Sequence, residues 1–169
     1  MPPDAADRAA EPGGPPPRRP LAATLGGLLS VAARAFDADA AALYLVDAAE
    51  GDLVLSAGHD VPPAALGHRL AVGEGLVGRV AAEARSLVSD EVALDPRTLH
   101  QRPDWDAPPP VRTFLGLPLR AGVPVLGVIE LTRRRATAFT PEARGQASIL
   151  ADAAALLIEQ TRLAEQAPL

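Results

Sequence analysis

Two pairs of alternating apolar stretches, each pair joined by a short turn, most constrain the fold of this chain. In the first pair a five-residue turn joins Ala41–Asp47 to Leu53–Gly58, and in the second a two-residue Ala-Gly turn joins Thr113–Arg120 to Val123–Thr132. Alternation at period two around such turns predicts antiparallel hairpins. Both faces of the first hairpin are largely apolar, so we expect a sheet that is covered on both sides.

Amphipathic helices are predicted outside and between these hairpins. Leu21–Phe36 repeats leucine and alanine at helical spacing, and a second helix should begin after the cap Thr140 and run from Pro141 to about Glu165. On this second helix, one stripe is Gln146, Ile149, Ala153, Leu156, Gln160 and Leu163, and the neighbouring stripe is Ala147, Leu150, Ala154 and Leu157. A short helix over 76–85 and short strands over 68–72 and 87–89 complete the predicted set of secondary-structure elements.

Composition excludes several classes of function. The chain has no cysteine, which removes disulfides, thiolate nucleophiles and cysteine-held metals. All 16 basic residues are arginine, the net charge is −5 and aromatic residues make up 3%, so neither a basic surface nor a stacking platform for nucleic acid is expected. No run approaches the ~20 apolar residues of a membrane span.

The first twenty residues are rich in proline and glycine, and we expect a disordered tail there. Arg18-Arg19 before an apolar stretch, with Ala33-Arg34-Ala35 further on, is an alternative pattern, that of a twin-arginine export signal. The amphipathic spacing of Leu21–Phe36 favours a helix that docks on a core instead. The domain is therefore expected over residues 21–165, with 166–169 as a short C-terminal tail.

In their order and spacing, a set of motifs resembles a GAF domain. These motifs are Gly73-Glu74-Gly75-Leu76-Val77-Gly78-Arg79-Val80-Ala81, Asp90 with Asp95-Pro96-Arg97, Phe114-Leu115-Gly116-Leu117-Pro118-Leu119, Val125-Leu126-Gly127-Val128-Ile129-Glu130-Leu131 and Phe139-Thr140. The resemblance implies an α+β fold with about six antiparallel strands. The terminal helices would cover one face, and a pocket with a long loop would lie on the other. It also implies a cytoplasmic, bacterial-type sensory module that takes a small ligand or only dimerises.

Departures from the known subtypes of this family narrow the range of ligands and activities that we expect. Bilin-binding members hold their chromophore through cysteine, and the free methionine sulfoxide reductases of this fold use cysteine thiolates, so neither chemistry is expected here. The cyclic-nucleotide subtype carries an Asn-Lys-Phe-Asp-Glu signature, whereas this chain has neither asparagine nor lysine. With no kinase, cyclase or phosphodiesterase sequence present, we expect the output to pass through a partner signalling protein.

Other patterns receive structural interpretations. Gly73, Gly75 and Gly78 match a dinucleotide fingerprint, but the preceding strand is short and polar, so a tight turn is favoured. Six side chains of the 90–112 loop, Asp90, Glu91, Asp95, His100, Asp104 and Asp106, match no metal-ligand spacing and are interpreted as a solvated acidic loop. His59 and His68 are interpreted as surface or satisfied histidines, and Arg133-Arg134-Arg135 as a solvated charge run.

Three functions remain open: a small-ligand sensor, a dimerisation or protein-interaction module, and, least favoured, an enzyme. For the sensor, we expect a non-covalent pocket under the Asp90–Arg112 loop, lined by Tyr44, Ser56, His100, Trp105, Thr113 and Phe114. No cofactor is identified. The terminal helices carry more apolar and alanine positions than contact with one sheet requires, so a parallel homodimer is expected through them.

Overall fold

Antiparallel strands and flanking helices make up the part of the chain that the structure describes. This structure, a computed structural model, describes residues 21–98, 110–122 and 124–168. In chain order the main elements are α1 (Leu21–Ala35), β1 (Ala40–Val46), β2 (Leu53–His59), β3 (Arg69–Leu70), α2 (Gly75–Glu83), β4 (Leu87–Ser89), β5 (Thr113–Arg120), β6 (Val125–Arg133) and α3 (Pro141–Gln166). The expected tail over residues 1–20 lies outside the described residues.

The six strands form one sheet in the order β3-β2-β1-β6-β5-β4, and each neighbouring pair is antiparallel. The two predicted hairpins are β1–β2 and β5–β6, and the pairing of β1 with β6 joins them at the centre of the sheet. The predicted fold class is therefore confirmed.

A separate apolar core lies on each face of the sheet. The helix-side core packs α1 and α3 against one face, with Leu25 and Leu29 from α1 and Ile158 from α3 fully buried. The other face packs α2 through Val77 and Val80, and we call this the cleft-side core. The terminal helices thus share one face, as the resemblance implied.

Local signals account for the way α3 begins. The backbone N–H of Ala143 donates to Thr140 Oγ1 at 3.1 Å, and Pro141 stands at the first helical position, where it has no N–H to leave unpaired.

Among the described residues, no helix is both long and apolar enough to cross a bilayer.

A bulge interrupts the first hairpin. Leu43 pairs with Ala57, whereas the next residue, Tyr44, pairs with Leu55, so Ser56 is an extra residue in β2. The bulge changes which β2 side chains share a face with Tyr44.

Candidate functional site

A cleft opens on the sheet face opposite the terminal helices. Its enclosed volume is about 30 Å³, and the volume rises to about 450 Å³ when the open space at its mouth is included. Its lining consists of Ala40, Ala41, Ala42, Tyr44, Leu55, Asp60, Val61, Val111, Glu130, Thr132 and Arg134. Most of these side chains come from β1 and β6, the central strands, which give the site a rigid floor.

Alternate residues at the end of β6 and just beyond it supply the polar lining. Glu130, Thr132 and Arg134 are spaced by two, so they lie on the same face, and the first two are buried. Arg134 Nη1 lies 3.2 Å from Asp60 Oδ2, and the Arg134 backbone N–H donates to Asp39 Oδ2 at 2.7 Å. One cation and two carboxylates therefore converge on the cleft with a threonine hydroxyl.

The structure places two of the expected pocket residues at or near this cleft. Tyr44 lines it directly and is 3% exposed. Phe114 belongs to the same cleft-side core but is fully buried beneath it, and its ring lies where a Cβ on Gly116 would be. Phe114 is thus part of the packing under the site rather than of its lining.

Two other expected residues lie elsewhere. Because of the bulge, Ser56 is not the partner of Tyr44, and its hydroxyl donates to Val54 O at 2.9 Å within its own strand. Thr113 pairs with Arg133, and its hydroxyl donates to Arg135 O at 2.8 Å. Since adjacent strand residues point to opposite faces, Thr113 shares the helix side with Arg133 while Phe114 faces the cleft side. His100 and Trp105 lie outside the described residues.

Hydrogen bonds join the two described ends of the 90–112 stretch. The Val92 N–H donates to Arg112 O at 2.8 Å, and Arg112 Nη2 donates to Glu91 Oε2 at 2.7 Å. This partner lowers the pKa of Glu91. These bonds hold the base of the stretch beside Val111, at the margin of the cleft.

A second ion pair fixes the chain a few residues after Glu91 and Val92. Arg97 donates from Nε to Asp95 Oδ1 at 3.0 Å and from Nη2 to Asp95 Oδ2 at 2.7 Å, and Nη2 also donates to Val88 O at 3.0 Å. The guanidinium of Arg97 is the main reason that the pKa of Asp95 lies well below its ordinary value, and burial opposes it. The pair ties residues 95–97 to β4.

We expect Asp95→Asn to destabilise the fold by about 1–2 kcal/mol at pH 7, because a charge-assisted bidentate contact is lost. A carboxylate with a lowered folded-state pKa stabilises the fold above its unfolded pKa of about 4, and this contribution is lost as the pH falls. The stability difference between wild type and variant should therefore narrow below about pH 4. Urea unfolding from pH 7 to about 2.5 measures it, with the neighbouring exposed Asp90→Asn as control. A difference that is independent of pH would contradict the prediction.

The glycine motif before α2 makes a tight turn. Gly73 and Gly75 have φ of 92° and 65°, and the Gly73 N–H donates to Gly78 O at 2.8 Å. A Cβ on Gly78 would lie 2.6 Å from Ala71 O. The strand before the turn, β3, pairs antiparallel with β2. The parallel strand that a dinucleotide fingerprint requires is therefore not what precedes this motif.

The prediction of a solvated arginine run is wrong for its first member. Arg133 is 7% exposed and donates to the backbone oxygens of Phe36, Asp37, Thr137 and Ala138 at 2.8–3.1 Å. Burial lowers the pKa of Arg133. A sequence pattern of three arginines gives no sign of these carbonyl acceptors, which come from two other segments.

In the part of the chain that the structure describes, Ser30 and His59 make the contact that most resembles a nucleophile with a base. Ser30 Oγ lies 3.0 Å from His59 Nδ1, between α1 and β2, and neither residue lines the cleft. Within the described ranges, no three histidine or carboxylate side chains cluster as a metal site would require. Of the acidic-loop residues, His100, Asp104 and Asp106 lie outside those ranges.

Comparison with known proteins identifies the family. The family model for the GAF domain matches residues 18–159, most of the chain. The chain belongs to the GAF domain family. No curated protein sequence matches the chain. GAF domains are small-molecule sensing and signalling modules, which is the functional class that this membership supports.

Solved GAF-fold structures resemble the chain over most of its length. The GAF domain of a phosphoenolpyruvate-protein phosphotransferase from Coxiella burnetii is 26% identical, with a TM-score of 0.80 and 87% coverage of both chains. The second GAF domain of DevS from Mycobacterium smegmatis is 21% identical, with a TM-score of 0.69, and the match covers 87% of this chain and 99% of that one. A free methionine-R-sulfoxide reductase from Neisseria meningitidis is 23% identical, with a TM-score of 0.70, and the match covers 86% of this chain and 81% of that one. The GAF fold therefore occurs in both regulatory domains and enzymes.

Proposed function

We propose that this GAF domain is a cytoplasmic sensor that binds a small polar metabolite non-covalently in the cleft. The observation that carries the proposal is the convergence of Glu130, Thr132 and Arg134 on one face beside Tyr44. These groups support a ligand site because they line a concave surface on the face opposite the terminal helices, where a ligand can reach them. The site residues proposed here are therefore Tyr44, Asp60, Glu130, Thr132 and Arg134.

The ion pair between Arg134 and Asp60 gives the cleft a means of admitting a charged ligand. The side chains are 28% and 52% exposed, so water reaches both of them. A ligand carboxylate or phosphate could replace Asp60 as the partner of Arg134, because exposed ion pairs contribute only ~0–1 kcal/mol. When a ligand anion replaced Asp60, the edge of the cleft would open while the Arg134 guanidinium kept a charged partner.

Binding rather than catalysis is proposed for this site. The absence of cysteine from the full sequence removes a thiolate nucleophile. The serine–histidine contact on the helix side is separate from the cleft, so it does not supply a base to a ligand held there. The output partner is proposed to be a signalling protein, with the terminal helices as the route from the domain to it.

A thermal-shift screen tests the sensor proposal with nucleotides, amino acids, organic acids and sugar phosphates as probes. A ligand at ~100 times its Kd adds about 2.7 kcal/mol, which raises the Tm of a domain this size by about 5–10 °C. Arg134→Gln should reduce the shift for an anionic ligand, whereas Arg85→Gln, at a 71% exposed side chain on the α2 end of the domain, should leave it intact. The chain's one tryptophan, Trp105, gives a second readout by fluorescence.

No shift across the whole panel would reject the sensor and leave the alternative, a module for dimerisation or protein interaction. The specific observation in favour of that alternative is the exposure of three large apolar side chains on α3, Ile149, Leu156 and Leu163. We propose a homodimer through the terminal helices in either case, since a dimer and a ligand site on opposite faces are compatible.

A further inference from the structure

The bulge in β2 sends two neighbouring residues to opposite sides of the sheet. Leu55 belongs to the cleft-side core, whereas Ala57, two residues later, belongs to the helix-side core. The extra residue of the bulge, Ser56, accounts for this change of face. Alternation after Ala57 then places His59 on the helix side and Asp60 on the cleft side.

Each of these neighbours makes a polar contact on its own side of the sheet. Ser30 Oγ of α1 lies 3.0 Å from His59 Nδ1, and Asp60 Oδ2 lies 3.2 Å from Arg134 Nη1 at the cleft. Among the described residues, the serine–histidine contact is the one side-chain hydrogen bond between α1 and the sheet, and the core packing around it is apolar. Two hydrogen-bonded pairs, joined by a single peptide bond, therefore lead from the cleft to α1.

The backbone between the two pairs has a conformation that depends on its contacts. Asp60 has a φ of 55°, in the left-handed region that residues other than glycine seldom occupy. A Cβ on Gly58 would lie 2.6 Å from the Cβ of Val61, so the chain turns back on itself over residues 58–61, which we call the β2 turn. A left-handed residue persists where surrounding contacts fix it, and the ion pair with Arg134 is one such contact.

We infer that the β2 turn couples the ion pair at the cleft to α1: once Asp60 loses its partner, His59 loosens from Ser30. The ligand step rests on the proposed function, since an anion that takes over the Arg134 guanidinium releases Asp60. The backbone of Asp60 then relaxes toward the extended region, which rotates the peptide between residues 59 and 60 and displaces the imidazole. Ligand binding would thereby remove the side-chain hydrogen bond between α1 and the sheet without altering the apolar core.

A second contact of Arg134 has to be kept separate from this route. The Arg134 backbone N–H donates to Asp39 Oδ2 at 2.7 Å, just after α1, and that bond does not involve the guanidinium. Arg134→Gln keeps the backbone N–H and removes the charged partner of Asp60. The substitution therefore imitates the loss of the ion pair without any ligand and leaves the Asp39 contact in place.

Amide hydrogen exchange of the full chain tests the coupling. In Arg134→Gln, protection of the α1 amides 28–32, relative to the amides of β5, should fall about two- to tenfold, the range that one hydrogen bond represents. The matched control is Arg69→Gln, which removes an exposed ion-pair partner of Asp47 and Asp52 at the other end of the first hairpin. This control should leave the relative protection of amides 28–32 unchanged.

A double-mutant cycle identifies the route. Ser30→Ala removes the hydroxyl that His59 contacts, so in that background Arg134→Gln should change the same amides by less than about twofold. Asp60→Ala removes the ion pair from its other side and should reproduce the effect of Arg134→Gln. The NMR signal of His59 Nδ1 gives a direct readout and should shift in both of these variants. Circular dichroism and Tm establish that every variant is folded.

The outcomes separate this inference from the sensor proposal. Unchanged α1 protection in both Arg134→Gln and Asp60→Ala overturns the coupling, and an effect that persists in the Ser30→Ala background overturns the β2 turn as its route. Coupling in the variants, with no thermal shift across the ligand panel, overturns the sensor and supports the coupling. A panel ligand that lowers the protection of amides 28–32 as Arg134→Gln does supports both, whereas one that leaves those amides unchanged overturns the ligand step.

Discussion

Gly127→Ala should destabilise the domain by more than about 3 kcal/mol, a large part of the ~5–15 kcal/mol that holds a domain of this size together. A Cβ on Gly127 would lie 2.0 Å from the backbone oxygen of Tyr44 and 3.2 Å from the Cα of Leu45. Both obstacles are backbone atoms of β1, so no side-chain rotation relieves the overlap. The substitution can be accommodated only by separating β1 from β6 at the centre of the sheet.

Gly145→Ala is the matched control, since it adds the same methyl group. Gly145 lies in α3 with nothing within 4 Å of an added Cβ, and alanine is favoured over glycine in a helix by ~0.5–1 kcal/mol. The same substitution is therefore expected to stabilise the protein at residue 145 and to destabilise it at residue 127. Urea unfolding monitored by circular dichroism measures both. Equal effects of either sign would contradict the structural explanation.

Local chemistry explains why so much of the fold could be predicted from the sequence. Alternation at period two and the Thr140-Pro141 cap each act within a few residues, and both were found where they were expected. The second hairpin was predicted correctly but its two-residue turn was not, because Arg120 pairs with Val125 and four residues separate the two strands. The strand over 87–89 was predicted with the bounds that it has in the structure. The family membership followed from the same segments taken together.

The site was harder to predict because it depends on register. The bulge at Leu43/Tyr44 shifts β2 by one residue, and a shift of one moves a side chain to the other face, which separates Ser56 from Tyr44. Thr113 and Phe114 were both expected in the pocket, although neighbours in a strand face opposite sides. The bulge could not be recognised from the sequence. The alternation of side chains along a strand, however, already implied that Thr113 and Phe114 could not line the same face.

One signal in the sequence could have identified the cleft lining. Glu130, Thr132 and Arg134 occur at period two at the end of a strand whose other residues are mostly apolar. Polar residues repeated on one face of an otherwise apolar strand indicate a wet or ligand-facing surface. Asp60 carries no such mark, because it reaches the cleft from the chain that follows β2.

Arg133 connects the two terminal helices, because it makes long-range contacts to the end of α1 and local contacts to the segment before α3. Its guanidinium donates to Phe36 O and Asp37 O after α1, and to Thr137 O and Ala138 O before α3. It also lies 3.9 Å from the centroid of the Phe139 ring. Since the neighbouring residues Thr132 and Arg134 line the cleft, the end of β6 joins the candidate ligand site to both helices.

Arg133→Met is therefore expected to destabilise the domain by about 3 kcal/mol, because four backbone oxygens lose a charged donor while the apolar stem is kept. Burial of the charged guanidinium costs free energy, as the lowered pKa of Arg133 indicates. The methionine variant no longer bears this cost, which offsets part of the loss. Arg133→Lys keeps the charge but offers one compact ammonium in place of the planar fork, so an intermediate loss is expected. Arg85→Met, at a 71% exposed side chain, should change stability little.

Hydrogen exchange distinguishes the loss of this connection from a general loss of stability. In Arg133→Met, protection should fall first at residues 36–39 and 137–140, the two segments that the guanidinium joins, while amides of β5 follow global unfolding. If the variant lost about 3 kcal/mol with protection reduced uniformly, Arg133 would be an ordinary core residue. If stability and protection were both unchanged, the four carbonyls would have found other donors, and the connection between cleft and helices would have to lie elsewhere in β6.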